Sequence, residues 1–172
     1  MQGLVLEGGS MRPMFSSGVM DALLDNEVYF PYVIGVSAGI TDGVSYVSRQ
    51  KGRNYKITTT YRNDRRYFGL LNYPKEKSLF GLKFLYEEVP MKLVPFDFGT
   101  YRNSGVKVVV GVTNALTGEP EYLDGMKLDE KATMLTATCA QPRFCPAIEI
   151  DGVPYYDGGI SDSIPAEKAV KI

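Results

Sequence analysis

The sequence predicts an α/β protein in which helices cover a parallel β-sheet. The first fifty residues follow the order strand, glycine turn, helix, strand, tight turn and helix, which is the βαβα pattern typical of such sheets. The two strands, GLVLEGG at 3–9 and YVIGV at 32–36, are short apolar runs that lead into glycine-containing turns. A right-handed crossover places the carboxyl ends of both strands at one edge of the sheet, so we expect the two turns to meet there.

A helix is predicted after each of these strands. In the first helix, over 13–27, five apolar side chains recur at helical spacing and form one face: Phe15, Val19, Met20, Leu23 and Leu24. Pro13 suits the first helical position, where its missing N–H is not needed. The second helix is predicted from Ala38 to Arg49.

Beyond residue 50 the pattern is uneven. Residues 53–73 are polar and aromatic without a clear period, whereas VKVVVGVTN at 106–114 is β-branched and continuous, as expected of a central strand. We further predict a helix over 79–90 ended by Pro90, a loop or lid over 91–101, a hairpin turning at Thr117-Gly118, a helix over 128–140, two strands joined at Asp151-Gly152 and a helix from Ile164.

The length and composition predict one domain spanning 1–172, since 172 residues with 44% hydrophobic side chains suffice for a core. Because the final helix lacks a capping glycine, we expect the domain to be truncated at its C-terminus. No basic leader precedes the first strand, and no apolar run approaches the ~20 residues of a membrane span. We therefore expect a soluble, cytoplasmic protein.

The charge pattern disfavours a nucleic-acid-binding surface, because the formal net charge is −1 and acidic and basic residues are interspersed. One basic cluster, RQKGRNYKITTTYRNDRR at 49–66, forms either a solvated helix face or loop, or a patch attracted to anionic lipid head groups. The chain has two cysteines, Cys139 and Cys145, and no histidine, so we expect reduced structural thiols and no metal site.

The stretch YVIGVSAGITDG at 32–43 contains a candidate nucleophile. Ser37 lies between Gly35 and Gly39 where a buried strand turns into a helix, which is the spacing of a nucleophile elbow. The small residues let strand and helix pass closely, and the N-terminus of the following helix favours developing negative charge. A serine in an ordinary glycine turn is the alternative interpretation.

A second glycine turn, EGGSMRP at 7–13, leaves backbone N–H groups free to bind an anion. A phosphate site is disfavoured, because the turn lacks the lysine of a P-loop and no acidic residue follows the second strand to bind a ribose. An oxyanion hole fits better, since neighbouring strands would bring these amides close to Ser37. A turn needed only for tight packing is the alternative.

The absence of histidine means that a nucleophilic Ser37 requires Asp, Glu, Lys or Tyr as its base. Asp157 is the strongest candidate, because it ends a predicted strand and opens an Asp-Gly-Gly turn. Three other carboxylates are weaker candidates. Asp42 should point away on its helix, Asp162 should cap a helix or lie in a loop, and Glu7 lies on the strand side of the first turn.

The order G-G-x-x-R, G-x-S-x-G and D-G-G resembles the patatin-like phospholipases over 3–172, and VIGVSAG and DGGISDSIP are most similar to the bacterial branch. The resemblance implies a three-layer α/β/α sandwich with a mainly parallel central sheet, related to the mammalian cytosolic phospholipase A2 catalytic domain. It also implies hydrolysis of fatty-acyl esters by a Ser–Asp dyad without metal or cofactor. Ser37 would be the nucleophile and Asp157 its base. The oxyanion hole would come from Gly8, Gly9, Ser10 and Met11, with Arg12 in the family's basic position.

The sequence departs from the family's G-G-G-x-R-G loop at two positions, where Ser10 replaces the third glycine and Pro13 the last. If position 10 requires a positive φ, a serine there costs roughly 1–2 kcal/mol. Two hypotheses follow. One is an acyl-enzyme hydrolase with a lipid or ester substrate and peripheral membrane contact, and the other is a catalytically impaired module of the same fold that binds a lipid or a partner.

Overall fold

A central β-sheet of six strands organises the computed structural model, which describes residues 2–171. The strands are β1 (Leu4–Leu6), β2 (Tyr32–Val36), β3 (Lys107–Asn114), β4 (Pro120–Asp124), β5 (Ile148–Ile150) and β6 (Val153–Asp157). Five of them lie in the order β1-β2-β3-β6-β5, and β4 pairs with β3 outside that order.

The sheet is mixed but mainly parallel. β1 pairs parallel with β2 and β2 pairs parallel with β3, whereas β4 and β6 both run antiparallel to β3. β5 is antiparallel to β6, so four of the six strands share one direction. The prediction that the first two strands are parallel neighbours is confirmed, and Leu6 lies opposite Gly35.

β2 and β6 meet end to end along one edge of β3. β4 pairs with residues 109–113 of β3 and therefore overlaps both β2, which pairs with 107–111, and β6, which pairs with 112–114. Since a strand has only two edges, β2 and β6 share the edge opposite β4. Val36 lies opposite Gly111, and Asp157 lies opposite the next residue, Val112. The last residues of β2 and β6 are therefore neighbours.

The helices fill the connections between the strands. They are α1 (Pro13–Asp25), α2 (Ser37–Val47), α3 (Arg53–Tyr61), α4 (Tyr73–Glu76), a π-helix (Phe84–Leu93), α5 (Phe98–Arg102), α6 (Thr133–Thr138) and α7 (Ala166–Val170). Short 3₁₀ turns lie at Leu70–Asn72, Gly125–Lys127 and Gly158–Ile160. Within residues 2–171, no helix combines the length and the apolar character needed to cross a bilayer.

Helices cover both faces of the sheet. On one face α2 packs against α1, α3, α5 and α6, and its Ile40 joins Val33 of β2 in the main core. On the other face Tyr32 and Ile34 pack with Ala169 of α7. Successive side chains of β2 thus enter two different apolar layers, because side chains alternate along a strand. The predicted three-layer α/β/α sandwich is confirmed.

Helix α1 begins at Pro13 as predicted, but its apolar face is only partly buried. Met20 is 2% exposed, whereas Phe15 and Val19 are 82% and 46% exposed. The side that faces the core contains Ser17, whose hydroxyl donates a hydrogen bond of 2.7 Å to Asp42 of α2. This polar contact between the two helices orients α1 so that Phe15 and Val19 lie outside the core.

The helix predicted over 79–90 is confirmed in part: residues 82–90 are helical, but the helix is mainly of another type and Pro90 does not end it. The structure has a π-helix at Phe84–Leu93, and Pro90 lies inside it. In an α-helix, the proline ring crowds the carbonyl four residues back. A π-helix bonds to the carbonyl five residues back, and its wider turn relieves that crowding. Part of the loop predicted over 91–101 is also a helix, α5, which Asp97 caps by accepting a bond of 2.8 Å from the Thr100 amide.

Both predicted hairpins are confirmed. Gly118 has φ 78 in the turn between β3 and β4, and Asp151 and Gly152 have φ 50 and φ 81 in the turn between β5 and β6. Two consecutive residues with positive φ are typical of a type I′ turn. The helices α6 and α7 are shorter than predicted. Ile172, which belongs to the last predicted helix, lies outside the described residues.

Candidate active site

Ser37 lies at the sharp turn between β2 and α2. Val36 is still extended, with φ −132 and ψ 153, whereas Ser37 has φ 52, in the left-handed region. This conformation costs a residue with a Cβ roughly 1–2 kcal/mol. A strained strand-to-helix turn of this kind presents the serine hydroxyl at the end of the sheet.

Gly35 and Gly39 permit this turn because β1 passes close to it. A Cβ at Gly35 would lie 2.9 Å from the carbonyl oxygen of Leu6, and a Cβ at Gly39 would overlap the carbonyl oxygen of Glu7. Neither position has room for a side chain. Both glycines therefore bring β1, and the loop that follows it, against the turn that contains Ser37.

The end of β6 brings Asp157 to the same point. Ser37 Oγ donates a hydrogen bond of 2.8 Å to Asp157 Oδ2, and the two residues are 120 positions apart in sequence. The other carboxylate oxygen, Oδ1, accepts from the Gly159 amide at 2.8 Å. The Asp157 amide donates to the Ala140 carbonyl at 2.9 Å. The carboxylate is thus held at both oxygens and through its backbone.

Burial governs the protonation of Asp157. It raises the pKa of this carboxyl above its ordinary value, although hydrogen bonds from Gly159, Ser37 and Gln141 act in the opposite direction. Ser37 and Asp157 are only 5% and 4% exposed. A carboxylate with a raised pKa is a stronger base toward a neighbouring hydroxyl than an exposed aspartate would be.

Thr138 positions the backbone of Ser37, and no sequence motif pointed to it. Its Oγ1 accepts the Ser37 amide at 2.8 Å and donates to the Gly111 carbonyl at 2.5 Å. The side chain is completely buried. Because Thr138 approaches from α6, which is distant in sequence, only the tertiary structure brings it to the site. The Ser37 amide is therefore already occupied.

Cys139 is a second side chain that the motifs did not predict to lie at the site. Its Sγ lies 3.4 Å from Thr41 Oγ1, and the thiol also contacts the side chains of Tyr86 and Ser37. Burial, followed by the charge of Asp157, raises the pKa of the thiol to about 12. Cys139 therefore stays a neutral thiol at physiological pH and does not compete with Ser37 as a nucleophile.

The loop over residues 8–12, predicted to form an oxyanion hole, lies against Ser37. A Cβ at Gly8 would be 3.1 Å from Ser37 Cβ. Gly9 and Ser10 have φ 152 and φ 54, so position 10 does adopt the left-handed conformation that glycine prefers. The serine that replaces glycine at position 10 is therefore strained.

The backbone amides of this loop fall into two groups. The Gly8 amide donates to the Ser163 carbonyl at 3.4 Å, and the Arg12 amide donates to the Gly9 carbonyl at 3.0 Å. Across residues 2–171, the amides of Gly9, Ser10 and Met11 donate to no carbonyl oxygen. These three amides remain available to an anion. The Arg12 side chain instead pairs with Glu7 at 3.6 Å, with both side chains largely exposed.

The weaker candidates for a base are engaged elsewhere. Glu7 pairs with Arg12, and Asp162 accepts a bond of 2.5 Å from the Tyr122 hydroxyl. Asp42 accepts the Ser17 hydroxyl. Among the described residues, Asp157 is the carboxylate that hydrogen-bonds to Ser37.

Asp42 does not contact Ser37, but it lines the same cavity. Asn54 Nδ2 donates to Ser17 Oγ at 3.2 Å and to the Asp42 carbonyl at 3.0 Å, so the three polar residues form one network. Burial raises the pKa of Asp42 to about 6, against the opposing effects of the Ser17 hydrogen bond and the charge of Arg53. Burial also lowers the pKa of Arg53 to about 10, and the charge of Asp42 partly offsets this.

The raised pKa of Asp42 predicts that Asp42→Asn increases the free energy of unfolding, by an amount that depends on pH. Between pH 3.8 and about pH 6, the Asp42 carboxyl keeps its proton in the folded state but has lost it in the unfolded state. The stability that protonated Asp42 contributes is therefore fully present below the pKa of the unfolded state, and it is lost as the pH rises through the pKa of the folded state. We expect the neutral, isosteric variant to gain about 1–3 kcal/mol in unfolding free energy near pH 8 and little near pH 4.

Urea unfolding at both pH values measures this effect. The control is Asp25→Asn, which removes a carboxylate from an exposed ion pair with Lys51 and should change stability by less than about 1 kcal/mol. Equal stability of wild type and Asp42→Asn near pH 8 would contradict the assignment of a raised pKa to Asp42.

A cavity of about 600 Å³ opens beside Ser37. This volume lies within the range of small-molecule sites, which is roughly 300–1,000 Å³. Its wall is mainly apolar and includes Met14, Ile57, Leu82, Leu85, Val89, Phe96, Phe98, Leu128 and Leu135. In the described part of the chain, no group of three or more His, Cys, Asp or Glu side chains is arranged to hold a metal ion.

The fold and the site thus combine an α/β/α sandwich, a serine on a strained strand-to-helix turn, a carboxylate beside it and an apolar cavity. The sequence matches the family model of the patatin-like phospholipases over residues 4–170, and the chain belongs to this family. This agrees with the resemblance inferred from the three motifs.

One curated relative is the protein named "Uncharacterized protein YjjU" from Escherichia coli strain K12. The chain is 28% identical to it over 173 residues. The alignment covers 98% of this chain and 48% of the relative, so the chain spans about half the length of that protein.

Proposed function

We propose that this chain is a serine acyl hydrolase that cleaves fatty-acyl esters of phospholipids or related lipids through an acyl-enzyme intermediate. The observation that carries the proposal is the 2.8 Å hydrogen bond from Ser37 Oγ to Asp157 Oδ2 at a buried site. The chain contains no histidine, so this carboxylate is the candidate base. Membership of the patatin-like phospholipase family supports a lipid as substrate.

In the first half-reaction, Asp157 accepts the hydroxyl proton as Ser37 Oγ attacks the ester carbonyl carbon. A new C–O bond forms and the carbonyl oxygen becomes an oxyanion. When the tetrahedral intermediate collapses, the bond to the leaving alcohol breaks, and Asp157 returns the proton to the alcohol oxygen. The acyl group is then attached to Ser37.

In the second half-reaction, Asp157 accepts a proton from a water molecule that attacks the acyl carbon. Collapse of this second intermediate breaks the bond to Ser37 Oγ, which takes back the proton and releases the fatty acid. The buried position of Asp157 supports both steps, because its raised pKa lowers the cost of proton transfer from a weakly acidic donor.

The amides of Gly9, Ser10 and Met11 are the proposed oxyanion donors. Their freedom from backbone hydrogen bonds within the described chain supports this role, as does the closeness of Gly8 to Ser37. Donors of this kind typically contribute about 2.7–4 kcal/mol each to an acyl-transfer transition state. Gly8 and Arg12, whose amides are already bonded, would hold the loop in place.

A fluorophosphonate probe and a short-chain nitrophenyl ester test the proposal. We expect the probe to label wild type but not Ser37→Ala, and ester turnover to fall by at least about 10³-fold in this variant. Ser16→Ala, at a half-buried serine of α1 that does not line the cavity, serves as the matched control and should be labelled like wild type. Undiminished turnover by pure Ser37→Ala protein would rule out this nucleophile.

A second function is favoured by one observation, the strained Ser10 in the loop that should bind the oxyanion. A domain with a misaligned loop would bind lipid without turning it over. Folded wild-type protein that resists the fluorophosphonate probe, yet binds a fluorescent fatty acid in the cavity, would support this non-catalytic module over the hydrolase.

A further inference from the structure

A group of exposed apolar side chains lies in the segment from residue 62 to residue 77. Phe68, Leu70, Leu71 and Tyr73 are 48%, 80%, 71% and 51% exposed, respectively. The segment contains the 3₁₀ turn Leu70–Asn72 and the short helix α4. Two adjacent leucines with this exposure are unusual for a protein surface that contacts only water.

The rest of the protein holds the 62–77 segment in place. The Gly69 amide donates to the Leu79 carbonyl at 2.8 Å, and the Gly81 amide donates to the Tyr67 carbonyl at 3.2 Å. The rings of Phe68 and Phe80 also pack edge to face, with centroids 4.9 Å apart. Leu70 and Leu71 therefore project from a supported turn.

The segment borders the mouth of the cavity beside Ser37. Where a cavity wall meets the protein surface, its lining residues are solvent-exposed. Six lining residues are exposed. Three of them, Arg62, Asn63 and Phe68, belong to the segment, and the other three are Ser10, Met11 and Phe144.

The charge of the segment differs from that of the whole chain. Residues 62–77 contain five Lys or Arg and two Asp or Glu, although the chain has a net charge of −1. Arg66 is neutralised by Asp64 and Glu88, at 2.8 and 2.7 Å. The other four basic side chains of the segment form no ion pair within residues 2–171. They are Arg62, Arg65, Lys75 and Lys77.

We propose that the 62–77 segment docks the protein on an anionic lipid bilayer, with Leu70 and Leu71 inserted among the acyl chains. The unpaired basic side chains flank the leucines and would contact the lipid phosphates. Docking in this orientation turns the cavity mouth toward the bilayer, so an acyl chain can move from the membrane to Ser37. In this respect the inference rests on the proposed hydrolase function, whereas bilayer binding does not require turnover.

Vesicle co-sedimentation tests the docking surface. Ser37→Ala protein is mixed with vesicles of phosphatidylcholine plus phosphatidylglycerol, or of phosphatidylcholine alone, so that no lipid is hydrolysed. We expect the protein to bind the anionic vesicles at least about tenfold more tightly, and added salt to weaken that binding. Adding Leu70→Glu and Leu71→Glu should reduce the partition coefficient at least about tenfold.

The matched control is Leu116→Glu in the turn between β3 and β4. Leu116 is 77% exposed, so this variant places one glutamate, where the test variant places two, at an equally exposed leucine outside the segment. It should bind vesicles like its parent. In an otherwise wild-type background, the Leu70→Glu, Leu71→Glu variant should keep its turnover of a soluble ester and lose turnover of vesicle lipid.

Three results would overturn the docking proposal. One is the absence of binding to anionic vesicles, and another is equal binding by the Leu70→Glu, Leu71→Glu variant with an unchanged circular dichroism spectrum. The third is a dimer, detected by light scattering, that these substitutions dissociate while vesicle binding is absent. Loss of ester hydrolysis with intact vesicle binding would instead refute the proposed function and leave the docking surface supported.

Discussion

Asp157→Asn is expected to lower kcat/KM for a soluble nitrophenyl ester by about 10³–10⁴-fold while the protein stays folded. The amide has the shape of the carboxylate, and its oxygen can still accept the Gly159 amide. It cannot accept a proton from Ser37 or from water. Because burial raises the pKa of Asp157 in the folded state, the neutral side chain should leave the protein as stable as wild type at neutral pH, or more so.

The pH dependence of wild-type kcat/KM provides a second test of the same residue. Only ionised Asp157 accepts a proton, so kcat/KM should fall as pH falls through the raised pKa of Asp157, approaching tenfold per pH unit. The midpoint should lie above the ordinary value of 3.8.

Asp42→Asn is the control for this profile, because Asp42 also titrates at the cavity, with a pKa of about 6. This variant should keep the acid limb of the wild-type profile. Two outcomes would contradict Asp157 as the base. One is loss of the acid limb of the pH profile in Asp42→Asn, and the other is activity of Asp157→Asn within about tenfold of wild type.

Gly39→Ala is expected to be the most destabilising of these substitutions. The added Cβ would overlap the Glu7 carbonyl oxygen and would lie 2.9 Å from the Glu7 carbonyl carbon. These are backbone atoms that continue from β1, so relief of the overlap requires β1 or the turn at Ser37 to move. We expect a loss of about 3 kcal/mol or more in unfolding free energy, at the upper end for an overpacked core.

Gly18→Ala is the matched control for this substitution. Gly18 lies in α1, and a Cβ there would meet no atom within 4 Å. Alanine should therefore stabilise the helix by about 0.5–1 kcal/mol. Urea unfolding of both variants measures the difference, and ester turnover should fall only in Gly39→Ala. If both alanines were tolerated equally, β1 could not lie as close to the elbow as the structure places it.

Local signals were sufficient for the start of the fold. The pairing of β1 with β2, the start of α1 at Pro13 and the turns at Gly118 and Gly152 were all predictable. Each depends on a short stretch of sequence, either an apolar run, a proline at a helix start or a glycine where φ is positive. The three motifs were sufficient for the family as well.

Other features depend on contacts between distant segments. The exposure of Phe15 follows from the Ser17–Asp42 bond between two helices, and the π-helix around Pro90 packs in a separate core cluster through Phe84 and Val89. Thr138 and Cys139 reach the site from α6 without any motif of their own. A pattern within one segment holds no information about which partner another segment will supply.

The sequence by itself determined the family, the sandwich architecture and the two side chains, Ser37 and Asp157, proposed for the chemistry. The tertiary structure decided that these side chains lie 2.8 Å apart, and that the amides of residues 9–11 are free while those of Gly8 and Arg12 are not. The physical reason is the register of β3, which pairs with β2 and then with β6 along one edge, so that strands distant in sequence end at the same point.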